Sequence, residues 1–229
     1  MDTFLTPVGA IGEDSLELDG PEGHHAVNVV RVRAGDRVRL IDGQGREGLG
    51  VVAEVARSTA RIEVAEFREH SRDDGFRLTV AQGLLKGRAF EEVVRRCSEI
   101  GVESIVPTET VRTVGHVSDD AEGTKLARWR AVAAAAVKQS RGVFLPTIGP
   151  VTALERMELR AGPGELSLIA WEEEAETDLL GALRRAGGPS AGTLIVGPEG
   201  GLSAAEVDLL RSRGALPVSA GRRILRADW

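Results

Sequence analysis

A glycine-rich turn between an apolar and an amphipathic segment is the part of the sequence best suited to hold a small molecule. Residues 193–214 read TLIVGPEGGLSAAEVDLLRSRG. The apolar start predicts a buried strand, and Ser203 with Glu206 predicts the S-x-x-E capping box of a helix that Gly214 ends. Because glycine lets a backbone approach a ligand closely, the amides of the GPEGG turn can face a bound molecule. In open α/β sheets, ligands bind beyond the carboxyl ends of the strands, where this turn is expected.

The chemistry of this turn is not that of a phosphate loop. Neither G-x-x-x-x-G-K-[ST] nor G-x-G-x-x-G occurs in it, and the carboxylate of Glu199 would repel a phosphate. A plain strand-to-helix turn stays open as an alternative, because Gly and Pro mark turns of every kind. No metal site is expected, since Cys97 is the only cysteine and the four histidines do not form a ligand set.

Predicted strands and helices alternate from residue 77 onward, which indicates a mostly parallel sheet with helices on both faces. The strands are predicted at 77–82, 102–107, 166–171, 193–197 and 215–220, and the helices at 89–100, 125–139, 176–186 and 203–213. In the first helix, the apolar stripe consists of Phe90, Val93, Val94, Cys97 and Ile100, with Gly101 at the C′ position.

Residues 1–70 show a different periodicity, with short alternating runs separated by turn signals. RVRLIDG (37–43) and ARIEVAEF (60–67) predict strands, and the glycine-rich stretch at 43–50 predicts a turn. Several short strands of this kind favour a small β-barrel. The polar residues 70–75 read as a linker, so we expect two domains, at 1–70 and 75–229.

The charge of the chain limits how it can bind nucleic acid. The net charge is -6 at pH 7. Residues 1–74 contain nine Lys and Arg against 15 Asp and Glu, whereas residues 75–229 contain 20 of each. Any RNA binding must therefore come from local basic patches. No apolar run approaches the ~20 residues of a membrane span, and the N-terminus does not resemble a signal peptide, which favours the cytoplasm.

Six segments match, in order, the motifs of one known family. GHHAVNVVRVRAGDRVRLIDGQG (23–45) looks like its N-terminal RNA-binding barrel, and residues 83–114 look like its first catalytic-domain helix with flanking strands. KQSRGVFLP (138–146), IAWEEEAE (169–176) and the GPEGG turn followed by SAGRRILRAD (219–228) complete the set. The chain thereby resembles the RsmE family of 16S ribosomal RNA (uracil-N3) methyltransferases, a branch of the SPOUT superfamily.

The resemblance implies a PUA-like β-barrel followed by a SPOUT α/β domain with a C-terminal trefoil knot. It also implies a homodimer whose S-adenosylmethionine pocket lies beside the subunit interface. The expected substrate is one uridine of 16S ribosomal RNA in the assembled small subunit, methylated at N3. The residues implied for cofactor binding are Gly197, Pro198, Glu199, Gly200, Gly201, Ser219, Gly221, Ile224 and Leu225.

The sequence departs from the family pattern at its end. The family reads I-L-R-T-E-T-A and continues into a final helix, whereas here Ala227 and Asp228 stand at the Thr and Glu positions and the sequence ends at Trp229. The closing helix is therefore expected to be missing, which bears on the knot and on the floor of the cofactor pocket.

Methylation of uridine N3 requires a site that removes its proton or stabilises the charge that spreads onto O2 and O4. Arg226, with Arg222 or Arg223, is expected near the base, because a guanidinium stays charged and donates two hydrogen bonds. Glu172 is the candidate base or positioning group. A solvated arginine edge and an exposed run of glutamates remain the alternatives. The candidate RNA contacts are Arg31, Arg33, Lys86, Arg88, Arg141, Arg222 and Arg223.

Two other functions stay open at this point. The first is a SPOUT methyltransferase that acts on another RNA, such as a transfer RNA ribose, because the acceptor atom is not written in the sequence. The second is an RNA-binding protein without catalysis, which the altered C-terminal motif would allow.

Overall fold

The chain folds into two compact units, one of which is discontinuous in sequence. The computed structural model describes residues 1–72, 75–114, 119–160, 162–221, 223 and 227. The first unit contains Met1–Asp74 and Ala134–Leu145, and the second contains Gly75–Ala133 and Pro146–Trp229. The periodicity of the sequence gives no sign that Ala134–Leu145 belongs to the first unit.

The first unit is built on a five-stranded sheet. In spatial order the strands are β1, β3, β4, β5 and β2; β1 pairs with β3 in parallel, and the other pairs are antiparallel. A short helix α1 continues into a π-helical turn over His25–Val30. The bounds are β1 (Thr3–Leu5), β2 (Ser15–Leu18), α1 (Gly20–His24), β3 (Arg37–Ile41), β4 (Arg46–Val55) and β5 (Ala60–Glu69).

Alternate residues of these strands face one apolar core, as the pattern predicts. Val38, Leu40 and Ile62 are buried in it, and Val64 packs against it. The predicted turn at 43–50 is wrong from Arg46 onward, because β4 starts there. Glycine continues this strand where there is no room for a side chain: a Cβ on Gly50 would lie 2.5 Å from Ile62 Cγ2 and 2.8 Å from Glu63 O. A glycine-rich segment is therefore also compatible with a crowded strand.

The second unit is an α/β unit around a wholly parallel sheet. Its strand order is β12, β10, β11, β6, β7 and β8, and the short β9 also pairs with β7. The bounds are β6 (Arg77–Gly83), α2 (Ala89–Glu99), β7 (Ser104–Glu109), α3 (Asp119–Gln139), β8 (Thr147–Ile148), β9 (Thr152–Ala153), β10 (Glu165–Ala170), α4 (Leu179–Arg185), β11 (Ala191–Val196), α5 (Ala204–Ser212) and β12 (Leu216–Val218).

Successive residues of the parallel strands enter different apolar clusters, so the sheet is covered on both faces. On β6, Val80 packs with Phe90 and Trp129, while Ala81 joins the cluster that contains Val207 and Leu210 of α5. The rings of Phe90 and Trp129, from α2 and α3, lie 4.4 Å apart between centroids. The expected α/β class with a parallel sheet is confirmed.

Three predicted helix ends need correction. The helix predicted from residue 125 begins earlier, because α3 starts at Asp119. Ile100, predicted on the buried stripe of α2, is 76% exposed. It is the C-cap residue, so its backbone no longer follows the helical rotation, and Gly101 completes the helix end with φ +81° as predicted. The predicted helix at 176–186 begins only at Leu179, because the side chain of Asp178 caps it by accepting a hydrogen bond from Gly181 N at 2.8 Å.

None of the helices in the described ranges is long and apolar enough to cross a membrane. The expected knot depends on the C-terminal segment, in which residues 222, 224–226 and 228–229 lie outside the described residues. The knot therefore stays a prediction.

Candidate active site

The glycine turn lies at the carboxyl edge of the parallel sheet, directly after β11, as predicted. Ser203 and Glu206 form a complete capping box at the start of α5. The buried amide of Gln82, at the end of β6, donates to Gly197 O at 3.1 Å. Gly83 approaches the turn so closely that a Cβ on it would lie 2.5 Å from Pro198 N. The end of β6 thus holds the first half of the turn in place.

A buried carboxylate joins the start of α5 to the loop that follows β7. Glu206 is 4% exposed. Its Oε1 accepts a hydrogen bond from Val111 N at 2.8 Å, and its Oε2 accepts from Ser203 N and Ser203 Oγ, both at 2.8 Å. One side chain therefore caps α5 and fixes the neighbouring loop.

Two further hydrogen bonds fasten adjacent loops to the turn. Arg112 Nη1 donates to Gly200 O at 2.9 Å. The backbone N–H of Lys86, in the loop after β6, donates to Glu199 Oε1 at 2.9 Å. The guanidinium of Arg112 therefore contacts the glycine turn, and the backbone of Lys86, whose side chain is exposed, is held beside it.

Glu172 follows β10, the strand next to β11, and its carboxylate contacts the second half of the turn. A Cβ on Gly201, which has φ +70°, would overlap Glu172 Oε1. Glu172 and Glu199 are both exposed, so the turn carries two solvent-facing carboxylates. These carboxylates can bind positively charged groups of a ligand, while Arg112, bonded to Gly200 O, places a positive charge at the same turn.

The segment after β12 lies on the other side of β10. Ser219 N donates to Thr177 O at 2.8 Å, and Ser219 O accepts from Leu179 N at 3.1 Å. Backbone hydrogen bonds from Thr177 and Glu176 lower the pKa of Glu174, so its charged carboxylate orders the chain between β10 and α4. In the sheet, β10 lies between β12, which Ser219 follows, and β11, which the glycine turn follows. Glu172 comes directly after Trp171 at the end of this central strand.

A buried donor at the same edge has no acceptor. Trp171 Nε1, at the end of β10, is buried and has no hydrogen-bond partner in the described part of the chain. A buried N–H without a partner costs about 1–3 kcal/mol, so this edge of the sheet is not saturated in its hydrogen bonding.

Comparison with known proteins assigns this architecture to a family. The family model for an RNA methyltransferase domain matches residues 72–228, and the model for an RNA methyltransferase PUA domain matches residues 18–65. Ribosomal RNA small subunit methyltransferase E of Synechocystis sp. is 33% identical over 94% of this chain and 69% of its own length. The Bacillus subtilis protein of the same name is 27% identical over 93% of this chain and 85% of its own length. The chain belongs to the ribosomal RNA small subunit methyltransferase E family.

The fold agrees with a solved structure of the methyltransferase E family. The Neisseria gonorrhoeae methyltransferase E, crystallised bound to S-adenosyl methionine, covers all of this chain with a TM-score of 0.86 at 25% identity, and 92% of that chain is matched. The first unit is thus PUA-like, and the second is the α/β unit of the RNA methyltransferase domain.

The structure brings together only part of the set of residues predicted from the methyltransferase E resemblance. Glu172 and the five residues of the glycine turn lie together, and Lys86 is tied to Glu199 by its backbone. Arg88 is the exposed N-cap residue of α2, and Arg223 is exposed. Arg31, Arg33 and Arg141 belong to the first unit. Arg222, Ile224, Leu225 and Arg226 lie outside the described residues.

Three residues around the turn were missed by the sequence reasoning. Gln82 and Arg112 carried no motif, and Glu206 was recognised only as a helix cap. Their contacts join positions 88 to 115 residues apart in the chain. A polar residue at the end of an apolar strand, as Gln82 is, was the one local signal. Within the described residues, no group of three or more His, Cys, Asp or Glu side chains is placed to hold a metal ion.

Proposed function

We propose that this chain transfers a methyl group from S-adenosylmethionine to N3 of a uridine in the 16S RNA of the small ribosomal subunit. The observation that carries the proposal is the glycine turn between β11 and α5, flanked by Glu172 and Glu199, in a chain of the methyltransferase E family. The turn lies at the carboxyl edge of the sheet, where open α/β sheets bind ligands.

The residues of this edge fit the methyl donor. S-adenosylmethionine carries a sulfonium and an ammonium group against one carboxylate, so it is net positive, and the two exposed carboxylates suit it. When bound, it supplies the electrophilic methyl group. Support for the turn as the binding element comes from its close-packed glycines and from the N–H of Trp171, which has no hydrogen-bond partner among the described residues. The residues assigned to binding are Gly197, Pro198, Glu199, Gly200, Gly201, Ser219, Gly221, Ile224 and Leu225.

Glu172 is assigned as the group that receives the N3 proton or orients the base. The acidity of uridine N3–H is closer to that of tyrosine than to that of a carboxylic acid, so the proton leaves only as negative charge on O2 and O4 is stabilised. Arg226 is assigned to that second task, because its guanidinium stays charged and donates two hydrogen bonds. The contact of Glu172 with Gly201 supports its place beside the donor.

In this proposal, the two units have different roles. Residues 1–70 form the RNA-binding domain, and residues 75–229 carry the transfer, with basic contacts from both. The contacts are Arg31, Arg33, Lys86, Arg88, Arg141, Arg222 and Arg223. The active form is a homodimer with the cofactor pocket beside the interface, and it acts on assembled small subunits in the cytoplasm.

The test is methyl transfer from labelled S-adenosylmethionine to small subunits that lack the modification, followed by mass spectrometry of the digested nucleosides. Appearance of 3-methyluridine is the expected result. Glu172→Gln is expected to lower the rate of transfer by a larger factor than it lowers S-adenosylmethionine affinity, and Glu173→Gln, an exposed neighbour, is the matched control. A methylated ribose would assign another acceptor, and RNA binding without transfer would support a non-catalytic RNA-binding protein.

A further inference from the structure

Three consecutive residues of the glycine turn are each associated with one charged group. Glu199 carries its own carboxylate, and Gly200 O accepts a hydrogen bond from Arg112 Nη1 at 2.9 Å. Gly201 lies against the carboxylate of Glu172. All three charged side chains are exposed. The turn therefore presents two negative charges and one positive charge to solvent.

The positive charge at this turn is not neutralised by the described part of the protein. Arg112 forms no ion pair with a carboxylate of any described residue, although two carboxylates lie at the same turn. Its bond to Gly200 O uses one N–H of the guanidinium, so the other N–H groups remain available to a ligand. Glu172 likewise forms no hydrogen bond or ion pair with a residue that the structure describes. These two charges are thus available to groups from outside the chain.

The loop that carries Arg112 is fixed by hydrogen bonds of its own. Thr110 N donates to Thr113 Oγ1 at 2.9 Å, and Thr113 N donates to Thr110 O at 3.1 Å. The buried carboxylate of Glu206 accepts from Val111 N at 2.8 Å. The residues on either side of Arg112 are therefore held, and its guanidinium lies at the turn before a ligand arrives. Such preorganisation lowers the entropy cost of binding.

This set of charges is complementary to the methionine part of S-adenosylmethionine. That part carries two positive groups, the sulfonium and the ammonium, and one negative group, the carboxylate. The two carboxylates of the turn attract the positive groups, and a guanidinium can donate two parallel hydrogen bonds to a carboxylate. A phosphate would meet both carboxylates of the turn as well as the guanidinium, so it suits this place less well.

We propose that Arg112 binds the carboxylate of S-adenosylmethionine and so recognises the methionine part of the cofactor, an inference that rests on the proposed function. Loss of the methyl group removes the sulfonium charge but leaves the carboxylate unchanged in S-adenosylhomocysteine. The contact is therefore made to the cofactor before and after transfer. An interaction of equal strength in both states changes the affinity for the cofactor and leaves the rate of the transfer step unchanged.

The test removes each partner of this contact in turn. Arg112→Gln removes the guanidinium, and decarboxylated S-adenosylmethionine lacks the carboxylate but keeps the sulfonium and the amino group. Isothermal titration calorimetry measures the affinity of parent and variant for both ligands and for S-adenosylhomocysteine. Arg213→Gln, an exposed arginine at the opposite end of α5, is the matched control, and thermal unfolding reports the fold.

Arg112→Gln is expected to bind S-adenosylmethionine and S-adenosylhomocysteine roughly 5- to 20-fold more weakly than the parent. For decarboxylated S-adenosylmethionine, parent and variant are expected to agree within about twofold, because the partner of the guanidinium is absent. Arg112→Lys keeps the charge without the two parallel hydrogen bonds, so its affinity should lie between those of the parent and Arg112→Gln. At saturating cofactor, the rate of methyl transfer should stay close to that of the parent. Arg213→Gln should bind all ligands as the parent does.

The same ligands identify the results that would overturn this assignment. A loss that is equally large for decarboxylated S-adenosylmethionine would show that Arg112 only holds the turn at Gly200. Parent protein that binds both forms of the cofactor equally well would contradict the contact without any variant. Unchanged cofactor affinity in Arg112→Gln, with weaker binding of small ribosomal subunits, would assign the side chain to RNA instead.

Failure of the proposed function gives a different result. Parent protein that binds none of these ligands would overturn the proposed function and the role of Arg112 together. A carboxylate-dependent loss in Arg112→Gln, in a protein that transfers no methyl group to small subunits, would support the role of Arg112 and overturn only the proposed transfer.

Discussion

At the scale of single residues, Gly201 is a position where a required backbone conformation and the proposed cofactor site coincide. It needs a positive φ, and a side chain there would collide with Glu172. We expect Gly201→Ala to lose about 1–2 kcal/mol of unfolding free energy and more than about tenfold in S-adenosylmethionine affinity. Urea denaturation and isothermal titration calorimetry measure the two effects.

Gly214 provides the matched control for this prediction. It also has a positive φ, of +93°, but a Cβ on it would meet nothing within 4 Å. Gly214→Ala should therefore lose stability to a similar extent and keep its affinity for the cofactor. If both variants bind S-adenosylmethionine as the parent does, the turn is not the cofactor site.

Glu206 is a second residue whose single side chain serves two elements. In Glu206→Ala, α5 loses its capping box and Val111 N loses its acceptor, so we expect a loss of about 2–3 kcal/mol in unfolding free energy. Asp208→Ala, exposed on the same helix, should change stability by less than about 0.5 kcal/mol. Glu206→Gln keeps one acceptor oxygen, so its unfolding free energy should lie between those of Glu206→Ala and Asp208→Ala. Equal stability of the two alanine variants in urea would contradict the conclusion that Glu206 both caps α5 and holds the loop at Val111.

At the scale of elements, we expect glycine-to-alanine substitutions in β4 and in α3 to change the unfolding free energy in opposite directions. Gly50→Ala would press a methyl group against Ile62 and Glu63, so we expect a loss of about 1–3 kcal/mol. Gly123, within α3, has open space around it, and alanine there should add about 0.5–1 kcal/mol. Chemical denaturation of the two variants measures both values, and a stabilising Gly50→Ala would contradict the close packing of β4 and β5.

The elements that could be predicted from the sequence are those with a clear pattern of apolar residues within their own segment. The parallel strands and the helices α2, α3 and α5 show it, and the capping box located the start of α5 correctly. Two-residue strands such as β8 and β9 have too few residues for a pattern, and β4 was hidden by its glycines. Of the candidate site, the turn and Glu172 follow from local motifs, whereas Gln82 and Arg112 take their roles from partners far away in sequence.

At the scale of the whole molecule, acid should weaken a cluster formed by Arg39, Glu47 and His70. Arg39 Nη2 donates to the backbone oxygens of Arg141 and Gly142 at 3.1 and 3.2 Å, while Arg39 Nε and His70 Nε2 contact the carboxylate of Glu47. Burial raises the pKa of Glu47, but hydrogen bonds and charges from Arg39 and His70 outweigh it and leave the pKa below 4.5. Because the folded pKa is lowered, the stability from Glu47 is present above about pH 4.5 and is lost as the pH falls toward the folded pKa. Glu47→Gln should therefore differ most from the parent near pH 7, and the difference should shrink in acid.

Urea denaturation over a pH series measures this effect. Glu66→Gln, at an exposed position on β5, is the control for the loss of one charge in the same unit. A difference between parent and Glu47→Gln that stays constant from neutral pH into acid would show that the charge of Glu47 does not contribute.

The cluster also connects segments that are made at different times. When the ribosome has synthesised residues 1–74, Ala134–Leu145 does not yet exist. Arg39 then lacks its carbonyl acceptors, and Glu22 lacks the ammonium group of Lys138, which it contacts at 2.6 Å in the finished protein. The first unit consequently matures only after β6 and β7 have been translated. A gene fusion that moved residues 1–74 alone would therefore leave Ala134–Leu145 of the unit behind.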